Sequence, residues 1–335
     1  MAMVVDGQKG VLRRMKKVKP IVLSRPLPDD WIAPVRAKFD VHVGTFENGL
    51  NSEELAEHIS RVEGVLTLLS DKVDAALLDK MPSLRVISNM AAGTDNLDLA
   101  ECKARGIRVG NTPGVLTNAT ADIAMLLMLM ITRKANLAEK DARSGGWKTW
   151  DPTGWMGMEL GGKALGIVGM GKIGKAVAKR AEAFGMRIYY HNRAPLSEQE
   201  GNPNWKWLPL RECLASSDVV SLHCPLTPET THLVNAEKLS WMKSSAFLIN
   251  TSRGKVIEQN ALADALRDRK IAGAGLDVTD PEPLPLDNRL FTLPNCVIYP
   301  HIGSATEDTR RKMAEMACEN LIAGMNGDEM PYPVL

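Results

Sequence analysis

Ala164-Leu165-Gly166-Ile167-Val168-Gly169-Met170-Gly171-Lys172-Ile173-Gly174 runs directly into Lys175-Ala176-Val177-Ala178-Lys179-Arg180-Ala181-Glu182-Ala183-Phe184-Gly185. The opening residues read as a short apolar strand, three glycines punctuate a turn, and an amphipathic helix follows until Gly185 stops it. In that order they form the G-x-G-x-x-G fingerprint of a dinucleotide-binding unit, in the context it requires. Gly169 permits the tight turn, Gly171 lets the backbone approach a pyrophosphate, and Gly174 lets helix and strand pack closely. Met170, Lys172 and Ile173 fill the turn between them. The helix N-terminus behind it offers unpaired N–H groups and the positive end of its dipole to phosphates.

Working outward, two series of strand–helix alternation appear, which predicts parallel α/β architecture. The first has strands at Ile21–Ser24, Val41–Val43, Val65–Leu69, Arg85–Asn89 and Ile107–Val109. Helices are expected from Asp29-Asp30, with Asp30 as N-cap, from Ser52-Glu53-Glu54-Leu55, and over Asp74–Lys80. One long helix is read from Thr120 to Ser144, ended by Gly145-Gly146, and Trp147–Gly162 reads as a loop. The second series adds strands at Arg187–His191, Asp218–His223, Ala246–Asn250, Ala272–Leu276 and Val297–Tyr299, then a final helix over Thr306–Met325. The reading is two domains with a cleft between them. A Rossmann domain covers 118–302, and a discontinuous, flavodoxin-like substrate domain covers 1–117 and 303–335.

Composition narrows the function. A net charge of +1 over 335 residues argues against a nucleic-acid or anionic-membrane partner. The apolar run Ile123–Ile131 is too short to span a bilayer and reads as a buried helix. Five scattered cysteines (Cys102, Cys213, Cys224, Cys296, Cys318) form no Cys-x-x-Cys, so no disulfide framework or metal site is expected and a reducing cytoplasm fits. The basic run Arg13–Lys17 has no apolar core after it and reads as a disordered start or an artificial extension, with Met15 a second possible initiator.

Three polar clusters follow predicted strand ends, where open α/β sheets bind ligands. They are Asn250-Thr251-Ser252-Arg253-Gly254, Asp277 through Glu282-Pro283, and His301-Ile302-Gly303-Ser304. A guanidinium can grip a carboxylate with two parallel bonds. A carboxylate beside a histidine orients the ring and favours its protonated form, ready to donate. By spacing alone, Arg253, Glu282 and His301 are equally compatible with a surface charge, a loop residue and a satisfied histidine.

These motifs together resemble the D-isomer-specific 2-hydroxyacid dehydrogenases over nearly the whole chain, most of all the glyoxylate/hydroxypyruvate reductases. The reductase likeness is carried by Leu69-Ser70-Asp71, Gly106–Val109, Gly146-Trp147-Lys148-Thr149-Trp150 and His301–Thr306. The resemblance implies a catalytic triad of Arg253, Glu282 and His301. Hydride reaches C2 of a 2-keto acid such as glyoxylate or hydroxypyruvate, His301 protonates the keto oxygen, and Arg253 steadies its charge and binds the carboxylate. Backbone N–H groups of Ala92 and Gly93, in the loop Asn89–Asp95, are expected to hold the carboxylate, with Ser70 lining the pocket and Trp150 of a partner subunit limiting it. That implies a homodimer. For the cofactor, Asn192 stands where an NAD-selective fold has an acid, and Arg193 follows, which favours NADP over NAD. The resemblance adds Thr117, Cys224, Pro225, Thr230, Thr251, Ser252, Asp277 and Ser304 as further cofactor contacts. Other readings of the same fold are a dehydrogenase for another 2-keto acid and a non-catalytic, dinucleotide-sensing interaction protein. Formate dehydrogenases are disfavoured, because they lack the Glu282-type pairing.

Overall fold

The computed structural model describes residues 18–335, so the expectations about Arg13–Lys17 and Met15 lie outside the described residues. The chain divides into two units, one reaching Pro113 and resuming at Arg311–Leu335, the other formed by Gly114–Arg310. In the first, strands β1 (Pro20–Leu23), β2 (Asp40–Val43), β3 (Gly64–Leu68), β4 (Val86–Met90) and β5 (Arg108–Gly110) form a parallel sheet in the order β2-β1-β3-β4-β5. This is the flavodoxin-like order. In the second, β6 (Ala164–Val168), β7 (Arg187–His191), β8 (Trp205–Trp207), β9 (Val219–Leu222), β10 (Phe247–Asn250), β11 (Gly273–Leu276) and β12 (Cys296–Ile298) pair in parallel as β12-β11-β10-β9-β6-β7-β8. Its order reverses beside β6, the strand that carries the fingerprint, as in a Rossmann domain.

The divisions fall earlier at the first crossing, and later at the second, than the sequence-based limits of 117/118 and 302/303. Thr117 already opens the helix Thr117–Thr132, whose Leu127, Met128 and Ile131 belong to the second unit's core. Gly273 and Gly275 in β11 let that helix approach: a Cβ at Gly273 would lie 2.9 Å from Ile131, and one at Gly275 would lie 3.0 Å from Leu127. Each fully buried Leu or Met there contributes roughly 1.5–3 kcal/mol. At the other crossing, Gly303 stays with the second unit through Thr120 Oγ1, which donates to its carbonyl at 3.2 Å. The last helix, Glu307–Asn326, lies on the first sheet from Arg311 onward. Ser88 Oγ donates to Ala317 O at 2.7 Å, and Asn320 Nδ2 donates to Asn111 O at 2.9 Å.

Local readings needed correction where tertiary contacts intervene. The single helix expected over Thr120–Ser144 is two, Thr117–Thr132 and Ala135–Arg143, broken where Lys134 takes a left-handed φ of 54°. Thr132 Oγ1 bonds back to Met128 O at 2.7 Å, and Thr132 O accepts from Met158 N at 2.8 Å. A loop residue therefore takes the carbonyl that the next turn needs. Asp30 is not the N-cap of its helix. Pro28 is, and Asp30 lies in the first turn with its carboxylate 2.7 Å from Arg311. The helix expected from Ser52 is reduced to two 3₁₀ turns, Glu53–Leu55 and Ile59–Arg61, and the buried Ser52 hydroxyl caps nothing. Three-residue β8 escaped the sequence reading, as did the helices Leu210–Ser216, Ala236–Trp241 and Gln259–Arg267.

Candidate active site and dinucleotide site

The three glycines after β6 do three different jobs. Gly169 has φ +98°, and a Cβ there would lie 2.5 Å from Cys224 N, so the turn is pressed against the segment after β9. A Cβ on Gly174 would lie 2.4 Å from Gly169 O, which closes the helix Lys172–Ala183 onto the turn. A Cβ on Gly171 would meet nothing within 4 Å, and no side chain caps the helix that Gly171 precedes. An open approach to uncapped N–H groups is what a pyrophosphate requires, so these residues fit a dinucleotide. Met170 is buried and Ile173 half-buried, whereas Lys172 is exposed.

Around this turn, Met170 N donates to Asn192 Oδ1 at 2.7 Å, and Arg193 is exposed. Cys224 is buried, and burial pushes its thiol up to about 11. Thr230 Oγ1 donates to Pro225 O at 2.6 Å and accepts from Thr227 N at 2.7 Å, closing the turn over 225–230. His223, which the resemblance places at the head of the loop running to Thr230, lies between two hydroxyls, with Nε2 2.8 Å from Ser221 Oγ and Nδ1 3.3 Å from Thr251 Oγ1. Burial pulls its ring down to about 4, so it is neutral at ordinary pH. Thr117 and Ser304 are half-buried in the same unit.

The chemistry-bearing turns hang from the carboxyl ends of β10, β11 and β12. After β10, buried Asn250 clamps its own turn: Oδ1 accepts from Ser252 N at 3.0 Å and from Ser252 Oγ at 2.8 Å, while Nδ2 donates to Arg253 O at 2.9 Å. Gly254 then passes so close to Thr279 that a Cβ would lie 1.9 Å from its carbonyl oxygen. This brings the Arg253 turn against the segment carrying Glu282. Gln259 ties that segment down from the other side, donating to Asp280 O at 2.8 Å and accepting from Asp280 N at 3.0 Å. The Asp280-Pro281 and Glu282-Pro283 peptides are cis.

Glu282 Oε2 lies 2.8 Å from His301 Nδ1, and Oε1 accepts from Thr279 N at 3.0 Å. Burial alone would raise the Glu282 carboxyl, but the His301 ring, the Thr279 amide and the Arg253 charge outweigh it and hold it below its usual range. His301 has φ +54°, a conformation that non-glycine residues adopt only when their surroundings impose it. Asp277 imposes it. Its carbonyl accepts from His301 N at 3.0 Å, and its two carboxylate oxygens accept from Ile302 N and Gly303 N, each at 2.8 Å. The Asp277 carboxyl is raised, because burial outweighs those amides. Each oxygen retains a second lone pair for a ligand.

In the first unit, the loop after β4 is held by side-chain amides. Asn89 Oδ1 accepts from Thr67 Oγ1 at 2.9 Å, and its Nδ2 donates to Gly93 O at 3.0 Å and Asn96 Oδ1 at 3.1 Å. Asn111 Nδ2 donates to Ala92 O at 2.8 Å. Ala92 and Gly93 are half-buried, and Ser70 is exposed. Next to Ser70, Asp71 pairs with Arg25 at 2.8 Å. Asn96 and Arg25 were missed. Their only signal in sequence is a polar residue beside an apolar strand. Trp150 is 79 % exposed, and neighbouring Trp147 is also exposed. A cavity of about 1030 Å³ in the second unit lies at the opposite, amino-terminal ends of its strands, lined by Lys163, Asp218, Phe247, Ala272 and Asn295. None of the candidate catalytic or dinucleotide-site residues lines it.

Comparison with known proteins agrees with this geometry. Residues 125–303 match the family model described as D-isomer specific 2-hydroxyacid dehydrogenase, NAD binding domain. The chain is 44 % identical over 319 residues to the glyoxylate reductase of Thermococcus onnurineus, covering 94 % of this chain and 95 % of the relative. Among solved structures, a protein of Thermus thermophilus superposes with a TM-score of 0.87 at 46 % identity, covering 94 % of this chain and all of that one. An NADPH-dependent glyoxylate/hydroxypyruvate reductase of Sinorhizobium meliloti, solved with NADP and malonate, gives 0.83 at 32 %, covering 95 % and 97 %.

Proposed function

The chain belongs to the D-isomer specific 2-hydroxyacid dehydrogenases, enzymes dependent on NAD(P), and from that premise we propose that it is an NADPH-preferring reductase of glyoxylate and hydroxypyruvate. The observation that carries the reading is the 2.8 Å pairing of His301 Nδ1 with Glu282, on turns packed against the one bearing Arg253. The bound nicotinamide supplies the hydride that reaches C2 of the keto acid. His301 delivers the proton to the keto oxygen from Nε2, the ring atom that Glu282 does not occupy, so the carbonyl becomes a hydroxyl. Arg253 stabilises charge growing on that oxygen and grips the carboxylate. The backbone N–H groups of Ala92 and Gly93 also bind the carboxylate. A positioned acid contributes about 100- to 10,000-fold in rate, and preorganised charge a comparable factor.

The NADPH preference is supported at the end of β7, where the chain has Asn192 and Arg193 and no carboxylate to repel a 2′-phosphate. Thr251, Ser252, Asp277 and Ser304 are assigned to the nicotinamide end, and Thr117, Cys224, Pro225 and Thr230 to the remaining contacts. The exposed Trp147 and Trp150 support a homodimer in which Trp150 enters the partner's substrate pocket. A monomer by sedimentation would remove that part of the reading. Five unpaired thiols suit a cytoplasmic setting.

Initial rates of NADPH and NADH oxidation with glyoxylate and hydroxypyruvate test the whole. Rapid turnover favouring NADPH is expected. Turnover only with another keto acid would replace the substrate, and binding of dinucleotide without any turnover would replace the enzyme by a sensor.

A further inference from the structure

We propose that His223 is a positioning residue: held between Ser221 and Thr251, it makes the Thr251 hydroxyl a fixed hydrogen-bond donor to an acceptor oxygen on the nicotinamide half of the dinucleotide. The inference rests on the assignment of Thr251 to the nicotinamide end and deepens it, by stating which way the Thr251 proton points and what sets it.

The direction follows from counting donors and acceptors along three side chains. Ser221 lies in β9, paired on one side with β6 and on the other with β10, and has no exposed surface. Its hydroxyl meets His223 Nε2 at 2.8 Å and has no other hydrogen-bond partner among the described residues. On the other side of the ring, Nδ1 lies 3.3 Å from Thr251 Oγ1. A neutral imidazole carries one proton, so one nitrogen donates and the other accepts. If Nε2 donated, the buried Ser221 proton would have no acceptor, at the full cost of an unmet hydrogen bond. Ser221 therefore donates to Nε2, and the ring proton sits on Nδ1 and goes to Thr251.

Thr251 Oγ1 thus accepts from the ring, and its own proton is left over. Thr251 is only 8 % exposed, and its hydroxyl has no other partner among the described residues. A proton placed so calls for an acceptor on the ligand that covers the turn. The neighbouring strand end offers the complement. Asp277 N donates to Asn250 O at 2.9 Å, so Thr251 and Asp277 follow adjacent strand ends, and the Asp277 carboxylate presents acceptors alone. The nicotinamide half carries both kinds of group, in its ribose hydroxyls and its carboxamide. A donor and an acceptor side by side suit it. Without Ser221 to hold the ring in this form, the Thr251 proton could turn back to Nδ1, and the donor would be lost.

Nitrogen chemical shifts of the His223 ring in the full chain, identified by their absence from His223→Asn, read the relay directly. The Nδ1–H form is expected, and the Nε2–H form would overturn the inference. Calorimetry with NADPH reads the consequence. Thr251→Val keeps the shape and removes the hydroxyl. It should weaken NADPH about 3- to 10-fold, the worth of one hydrogen bond, and Thr251→Ser should restore it. Ser221→Ala, at a position with no exposed surface, should lose as much. Combined with Thr251→Val it should lose nothing further, and additive losses would make Ser221 and His223 structural props and overturn the inference. The adenosine-half fragment 2′,5′-ADP should bind every variant as it binds wild type. Equal weakening of 2′,5′-ADP and NADPH in Thr251→Val, with the Nδ1–H form present, would instead sink the assignment of Thr251 to the nicotinamide end. Within that half, 2′-phospho-ADP-ribose locates the acceptor. Weakened like NADPH, it marks a ribose oxygen; unaffected, it leaves the carboxamide oxygen.

Discussion

Both sheets reverse their strand order beside one strand, and the two crevices so created are treated in opposite ways. In the second unit the reversal lies between β6 and β9. The chain has stripped the side chains from one wall, so Gly169 touches the segment at Cys224 and Gly171 faces open space. In the first unit the reversal lies between β1 and β3, and an ion pair spans it. Arg25, two residues beyond β1, meets Asp71, three residues beyond β3, at 2.8 Å. Asp71 is further held by Leu68 N at 2.7 Å, and Arg25 Nε donates to Phe46 O at 2.8 Å. The small-residue loop assigned to the substrate carboxylate accordingly follows β4, where Asn89 and Asn96 shape it. One crevice is kept open by backbone alone, and the other is closed by buried charge. Of the two, the crevice stripped of side chains is the one whose uncapped helix N–H groups fit a pyrophosphate.

The largest expected effect lies with the catalytic turns of the second unit. His301→Ala should lower kcat by about 100- to 10,000-fold, with dinucleotide affinity measured by calorimetry nearly unchanged. Near-normal reduction of glyoxylate would remove His301 from the mechanism. Next comes the closed crevice. Arg25→Ala leaves the buried Asp71 without its cation and should cost about 3 kcal/mol in urea unfolding. A loss below about 1 kcal/mol, the worth of an exposed pair, would mean that the pair merely decorates the crevice.

The open crevice is sharpened by two alanines. Gly174→Ala forces a Cβ to within 2.4 Å of a backbone oxygen, and overpacking of this kind costs about 1–3 kcal/mol. Gly171→Ala meets no protein atom, so the melting temperature should hold while dinucleotide affinity falls. If both variants lost stability equally, the division of labour between these glycines would be wrong. The smallest effect is one of pH. Glu282 is held below its ordinary value in the folded protein. Its contribution is therefore complete above the unfolded pKa and is lost as pH falls through the lower folded pKa. Between about pH 5 and pH 3, spanning the unperturbed glutamate value, the wild-type urea midpoint should fall further than that of Glu282→Gln. Parallel decline of the two would show that the His301 pairing adds nothing to stability.

Much of this was legible before folding was considered. The fingerprint, the strand alternation and the two-sheet class are local patterns, set by apolar periodicity and by glycine's freedom from a Cβ. Arg253, Glu282 and His301 could be marked because each follows a strand end. Their partnership could be marked only through the family resemblance and not from spacing, because physically it depends on Gly254 pressing against Thr279 and on Asp277 holding His301 at a positive φ. The break at Lys134 was hidden for a similar reason: its cause is Met158, far along the chain. Asn192 was visible as a missing carboxylate, but the way its amide points was not.

The sequence by itself determined which segments are strands and helices, where backbone can approach an anion, and which side chains stand at strand ends. Those properties depend on a residue and its near neighbours. Only the tertiary structure decided which crevice stays open, which turns meet, and which atom of each polar group faces a ligand. Hydrogen bonds between residues distant in sequence settle those matters, and their partners exist only once the sheets have formed.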